Sequence, residues 1–272
     1  MNKKNLNKIL LGKNYIFIFG FPGSGTTILS KQLSLNLDAS LWLEPYYIWR
    51  KLIQEKNYDN FNSKNFSDQV INEIRKDFYN FYFKSNKDFL IEKEPRNIFN
   101  FLIIKKIFPY SKFIFIKKKN LKDNLETILR KTNTRKKNNK WSDLRDIFYK
   151  IKNQNFFIFR LKLILYELKN LDRIKEYFKK YLNFGTVRWG IKYKRNNKII
   201  YSDNLKDYLF LQNKFKTDLK KLDKKIYISI NLENFRLNFN KELEKIIIFL
   251  GKKNFKNRYK LIDSKRIRTN KK

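Results

Sequence analysis

Tyr15-Ile-Phe-Ile-Phe-Gly-Phe-Pro-Gly-Ser-Gly-Thr-Thr27 is the stretch on which the reading of this chain turns. Its first five residues are all β-branched or aromatic, the composition of a buried strand. Gly20, Gly23 and Gly25 then take three of the seven glycines in the whole chain, and a helical pattern runs from Thr27 to Asn36. A strand that leaves through a glycine-rich turn into a helix presents free backbone N–H groups at the helix start. Glycines let that backbone come close to an anion, and the hydroxyls of Thr26 and Thr27 add donors. The same residues also read as a tight strand–helix turn that holds no ligand.

Outward from this stretch the first half of the chain alternates apolar runs with helical patterns. Asp88–Glu92 and Lys112–Ile116 read as strands. Ile98–Phe108 and Leu121–Arg130 have helical spacing. Strand and helix in this rhythm predict a parallel sheet with crossover helices. From about Asn133 to Leu182 the pattern is charged, aromatic and mostly helical, and 133–225 is expected to form a helical cap or insertion on the same domain, with Asn133–Lys140 an exposed basic loop. Ile226–Ile230 reads as a late strand. Phe239–Leu250 has helical periodicity and stops at Gly251, a helix C-terminal residue. The expectation is one α/β domain over 1–251, followed by a basic tail over 252–272.

Composition bounds the chemistry. The chain has 272 residues, 42% of them hydrophobic and 17% aromatic, enough for a packed core. Lys and Arg number 63 against 25 Asp and Glu, a formal charge of +38. The lysines are spread along the chain, and the favoured residues (Lys, Asn, Ile, Phe, Tyr) share A/T-rich codons, so the charge is read as a solvated surface rather than a specific nucleic-acid footprint. There is no Cys and no His. Disulfides and Cys or His zinc sites are thereby excluded, and general acid–base work falls to Glu, Asp, Lys or Tyr. No apolar run reaches the length of a transmembrane helix, and Tyr15–Phe19 is too short for a signal-peptide core, so a cytoplasmic location is expected.

Gly20 and Gly25 have the spacing of the nucleoside-triphosphate pattern G-x-x-x-x-G-K-[ST], but Thr26 stands where that pattern has the Lys that neutralises the terminal phosphates. This argues against an ordinary ATPase or kinase and for a different anionic ligand. Three segments together resemble the sulfotransferase superfamily, whose phosphosulfate loop commonly reads P-[RK]-S-G-T-T. Pro22-Gly-Ser-Gly-Thr-Thr27 is similar to it, with Gly23 at the usual basic position. Glu92-Lys-Glu-Pro-Arg-Asn97 resembles the family's E-K-[TS]-P-R-N element. Phe113-Ile-Phe-Ile116 and the following Lys117–Thr127 resemble its 3′-phosphate element, with Lys119 at the Arg position, Thr127 at the Ser position and Leu121 where Pro is usual.

The resemblance implies a three-layer fold like that of the P-loop nucleotide hydrolases and a donor substrate, 3′-phosphoadenosine 5′-phosphosulfate (PAPS), used without a metal ion. It implies that Pro22, Gly23, Ser24, Gly25, Thr26 and Thr27 hold the 5′-phosphosulfate, that Lys119 and Thr127 bind the 3′-phosphate, and that Lys93 stabilises the leaving nucleotide. Relatives that lack a catalytic His often use a Glu soon after the first helix. Glu44, within Leu41-Trp-Leu-Glu-Pro45, is the residue so placed, and apolar neighbours would suit it to a base. The same Glu44 also reads as a helix-start carboxylate beside Pro45. Arg188-Trp-Gly-Ile-Lys-Tyr193 resembles an element of some bacterial family members whose implied role is acceptor-side or lining the donor pocket, and Tyr227–Phe235 with Phe249-Leu-Gly251 resembles a late fold element of the family. The partners implied are the nucleotide donor and a hydroxyl-bearing acceptor: carbohydrate, lipid, peptide or small molecule. Two rival readings stand beside this one, a P-loop kinase acting on a small molecule or nucleoside and a catalytically decayed relative that binds an anionic nucleotide or glycan.

Overall fold

Rings and aliphatic side chains alternate along two central strands, Tyr15–Phe19 and Lys112–Lys117, and that alternation organises the molecule. The computed structural model describes residues 3–21, 23–52, 66–120, 123–126, 157–169, 187–188, 191–192 and 201–252. In chain order the strands are β1 Tyr15–Phe19, β2 Ala39–Leu43, β3 Phe89–Lys93, β4 Lys112–Lys117, the short β5 Val187–Arg188 and β6 Ile191–Lys192, and β7 Tyr227–Asn231. Five of them form one sheet in the order β2-β3-β1-β4-β7, and every pairing in it is parallel. β5 and β6 pair antiparallel with each other. The helices of the first half are α1 Lys3–Leu10, α2 Thr26–Asn36, α3 Tyr46–Trp49, α4 Asp68–Ser85 and α5 Phe101–Ile107.

Because strand side chains point alternately to opposite faces, β1 sends Tyr15, Phe17 and Phe19 one way and Ile16 and Ile18 the other. The first set joins Trp42, Phe78, Phe81, Phe101, Phe108, Phe113 and Phe115 in a cluster roofed by α4 and α5. The second joins Ile91, Ile114, Ile116 and Ile230 under Leu29 and Leu33 of α2 and Leu243, Ile246 and Ile247 of the helix Phe239–Phe249. Helices therefore cover both faces, as a fully parallel sheet requires. Each fully buried ring contributes about 1.5–3 kcal/mol over exposure. Trp42 stacks on Phe81 with ring centroids 4.1 Å apart and an interplanar angle of 8°.

The expected strands appear within a residue or two of their predicted bounds, and the helix Phe239–Phe249 is capped by Leu250 and followed by Gly251, which has φ +81°. Ile98–Phe108 divides into a 3-10 turn Pro95–Phe99 and α5, with Asn100 as the N-cap residue. β2, α1 and α4 were not anticipated. α4 carries an N-cap at Ser67, whose Oγ accepts from Val70 N–H, and buries Ile74, Phe78 and Phe81 at helical spacing. Of the region 133–225, Phe157–Lys169 and Tyr201–Leu219 are helices, but β5 and β6 make a small antiparallel pair where a mostly helical pattern was expected. Phe159 packs on Trp42 and Phe81, and Phe215 on Phe21, Phe101 and Phe115, so both helices close over the aromatic face. Asn133–Lys140, most of Leu121–Arg130 and the tail from 253 lie outside the described residues. Among those described, no helix is long and apolar enough to cross a membrane.

The strand order places the candidate site. From β1 the chain first builds β2 and β3 on one side, then crosses to β4 and β7 on the other. Ligands of open α/β sheets bind where connections diverge in this way, outside the carboxyl ends of the strands. The glycine loop leaves β1 at that point.

Candidate functional site

The loop after β1 leaves no room for a side chain at Gly20 and little at Gly25. A Cβ on Gly20 would stand 2.5 Å from the carbonyl oxygen of Ile116 in β4 and 2.3 Å from Ser24 Oγ. One on Gly25 would stand 2.4 Å from Leu232 Cδ1, the first residue of the helix Leu232–Leu237 after β7. Gly23 and Gly25 have φ +82° and +91°, the left-handed region open mainly to glycine. Ser24 N–H donates to the Phe21 carbonyl at 3.0 Å, which closes the turn. α2 then starts at Thr26 with Gly25 as its N-cap and no side-chain cap. The helix-start N–H groups thus have no side-chain oxygen of the cap residue upon them, the condition for receiving an anion. Ser24 is fully buried, and its Oγ has no hydrogen-bond partner among the described residues. Thr26 is buried and Thr27 exposed at the helix start. Pro22 lies outside the described residues.

Glu44 and Lys93 meet. Lys93 ends β3 and Glu44 follows β2, the strand paired with it, so the register that sets Leu43 beside Lys93 brings the two side chains to one edge. Lys93 Nζ donates to Glu44 Oε1 at 2.7 Å, and Glu44 N–H donates to the Lys93 carbonyl at 2.8 Å. The lysine side chain is 4% exposed and the glutamate 31%. Glu44 has φ +50°, unusual for a residue with a side chain, and costs about 1–2 kcal/mol that the paired strands must offset. The carboxylate therefore faces a buried ammonium, not the purely apolar surroundings its neighbours in sequence suggest. Lys93 lies on the same face of the sheet as Ile91 and Ile18, the face covered by α2.

Lys119 follows β4 with its side chain exposed. Its backbone N–H donates to Glu233 Oε2 at 3.0 Å, which ties the segment after β4 to the helix after β7. Thr127, its expected companion, lies outside the described residues, as do Leu121 and Trp189. Lys119 is placed at the carboxyl end of the strand beside β1, on the opposite side from Lys93. The loop, Lys93 and Lys119 thus sit on the ends of three adjacent strands, β3, β1 and β4.

A further group went unassigned in the sequence. Glu92 is fully buried between these elements. Its Oε1 accepts from Trp49 Nε1 at 3.0 Å and from Asn97 Nδ2 at 3.4 Å, while Oε2 has no hydrogen-bond partner among the described residues. Burial, reinforced by the nearby Glu94, holds this carboxyl well above the usual carboxylate range, against the opposing pull of the Trp49 indole, Lys93 and the Glu94 N–H. The signal was present: Glu92 opens the E-K-x-P-R-N element, but only Lys93 was given a task.

The model of a family described as the sulfotransferase family matches residues 15–156, just over half of the chain. Among solved structures, a sulfotransferase from Alicyclobacillus acidocaldarius is similar, with 16% identity, 91% of this chain and 85% of that chain covered, and a TM-score of 0.43. No curated protein matches the chain.

Proposed function

Because the chain belongs to the sulfotransferase family, we propose that it moves a sulfuryl group from PAPS to an acceptor hydroxyl. The observation that carries the proposal is the buried Lys93 ammonium, 2.7 Å from a carboxylate, at the end of a strand adjoining the glycine loop. An acceptor oxygen attacks sulfur, its proton passes to Glu44, and the bond from sulfur to the bridging oxygen breaks. Adenosine 3′,5′-bisphosphate leaves. Negative charge grows on the bridging oxygen as that bond opens, and a cation fixed there stabilises the transition state more than the ground state. Lys93 is the cation in this scheme. As it turns to the donor it frees Glu44 to take the proton, so the ion pair of the unliganded protein is the resting form of the two catalytic residues.

Residues 22–27 hold the 5′-phosphosulfate through backbone N–H groups and the Thr26 and Thr27 hydroxyls. Lys119, with Thr127, binds the 3′-phosphate. Lysine in place of arginine keeps the charge and gives up the two-pronged geometry. The acceptor is a hydroxyl compound of the carbohydrate, lipid, peptide or small-molecule classes.

Calorimetric titration with adenosine 3′,5′-bisphosphate, beside AMP without metal and ATP with and without magnesium, tests this reading. The bisphosphate should bind at micromolar Kd or tighter, about −8 kcal/mol, AMP should bind far more weakly, and Lys119→Ala should erase the difference. Equal binding of AMP and bisphosphate, or tighter binding of ATP with magnesium, overturns it in favour of a kinase or of a relative without this chemistry.

A further inference from the structure

Glu92 belongs to neither the glycine loop nor the ion pair, yet it touches the neighbours of both catalytic candidates. Glu44 lies between β2 and α3, and Trp49 is the last residue of α3. Lys93 ends β3, and Asn97 lies in the 3-10 turn that follows it. One oxygen, Glu92 Oε1, accepts from both Trp49 and Asn97.

We propose that Glu92 is a positioning residue whose Oε1 fastens the segment carrying Glu44 to the segment carrying Lys93, and so sets the geometry of that pair. The inference rests on the proposed roles of Glu44 and Lys93 for its kinetic consequence, but not for its structural one. The remaining surroundings fit. Glu92 shares the aromatic face with Phe17 and Trp42, its register partners on β1 and β2. The charged groups that act on it include Glu94 and Lys93, its own chain neighbours. A buried carboxyl so placed costs stability unless it remains neutral, and a neutral carboxyl still accepts at Oε1. The Trp49 indole N–H is buried, and Glu92→Leu would take away the oxygen to which it donates.

The test uses Glu92→Leu, Glu92→Gln and Trp49→Phe in the full chain. The first readout is amide exchange at Glu44, whose N–H donates to the Lys93 carbonyl. Exchange there should quicken in Glu92→Leu and Trp49→Phe, while peptides from α2 keep wild-type protection. Glu92→Gln, whose amide oxygen can still accept from Trp49 and Asn97, should restore slow exchange. The second readout is hydrolysis of PAPS with water as acceptor, releasing sulfate and adenosine 3′,5′-bisphosphate. Glu92→Leu should lower kcat by up to about 100-fold, the cost of a misplacement near 1 Å, with KM for PAPS changed by no more than roughly twofold. Glu92→Gln should recover most of the rate. Wild-type exchange at Glu44 in both Glu92→Leu and Trp49→Phe overturns the proposal, as does a Glu92→Gln variant that exchanges as fast as Glu92→Leu. If wild type itself neither binds nor hydrolyses PAPS, the functional reading falls, and the exchange result still decides the role of Glu92. Should Glu92→Leu fail to fold, Trp49→Phe against Glu92→Gln decides alone.

Discussion

Replacing Glu44 should harm the fold more than replacing Lys93, although the two share one ion pair. The asymmetry follows from their unequal burial, 4% side-chain exposure for Lys93 and 31% for Glu44. Glu44→Leu leaves an ammonium buried without its carboxylate. Breaking a buried pair in this way costs about 3–5 kcal/mol, and the lower end, about 3, applies here because the pair lies at the open end of the sheet. Lys93→Met keeps the unbranched stem packed beside Ile18 and Ile91 and leaves a carboxylate that water can reach, a loss of about 0–1 kcal/mol. The left-handed φ of +50° at position 44 is common to wild type and to the Leu variant, so backbone strain cancels. At about 2–4 °C per kcal/mol for a domain of this size, Glu44→Leu should lower Tm by about 6–12 °C and Lys93→Met by at most about 4 °C. Thermal unfolding followed by circular dichroism at neutral pH decides it. Equal shifts, or the larger shift in Lys93→Met, would refute the assignment of Lys93 as the buried, dependent member of the pair.

Gly20→Ala should destabilise the fold by about 2–3 kcal/mol in urea titrations, because its Cβ meets the immovable Ile116 carbonyl at 2.5 Å, and binding of adenosine 3′,5′-bisphosphate should be lost with it. Phe159→Ala should cost about 3–5 kcal/mol, read from the urea midpoint, since its ring lies 5.1 Å from both Trp42 and Phe81. Glu92 is raised in the folded state, so its contribution is fully present below the unfolded carboxylate pKa and is lost as pH rises through the folded one. Glu92→Gln removes that loss, and the Tm of the variant relative to wild type should therefore climb as pH is raised from acid toward neutral. A constant difference across that range would contradict the raised carboxyl.

What the sequence disclosed divides along physical lines. β1, β3 and β4 were legible because strands buried on both faces are apolar runs, and β7, an edge strand with Ser229 exposed, because its Tyr and Ile residues are strand formers. The glycine loop was legible because glycine is so scarce elsewhere in the chain. β2 escaped notice since Ala39-Ser-Leu-Trp-Leu43 has little periodicity of its own, and its pairing with β3 defines it. α4 carried a readable cap at Ser67 and apolar positions at 74, 78 and 81, diluted by a polar background rich in Asn and Lys. Glu44 and Lys93 could each be picked out by resemblance, but their contact spans 49 residues and is a product of the β2–β3 register. The link from Glu92 to Trp49 is likewise a tertiary fact, across 43 residues.

The gathering of the buried tryptophans and Tyr15 on one face of the sheet, with isoleucines and leucines predominating on the other, has an optical consequence. Near-ultraviolet dichroism arises from ordered rings and is dominated by Trp and Tyr, so it reports chiefly Tyr15, Trp42, Trp49 and their partners; the other face adds phenylalanines such as Phe235, and the dichroism is blind to its Ile16 and Ile18 and to Leu29 and Leu33 of α2. An anion that settles at the start of α2 and stiffens that layer would leave the aromatic spectrum almost unchanged. Methyl resonances of the isoleucines and leucines are the channel through which such binding becomes visible, and a flat near-ultraviolet titration would be no sign of an empty site.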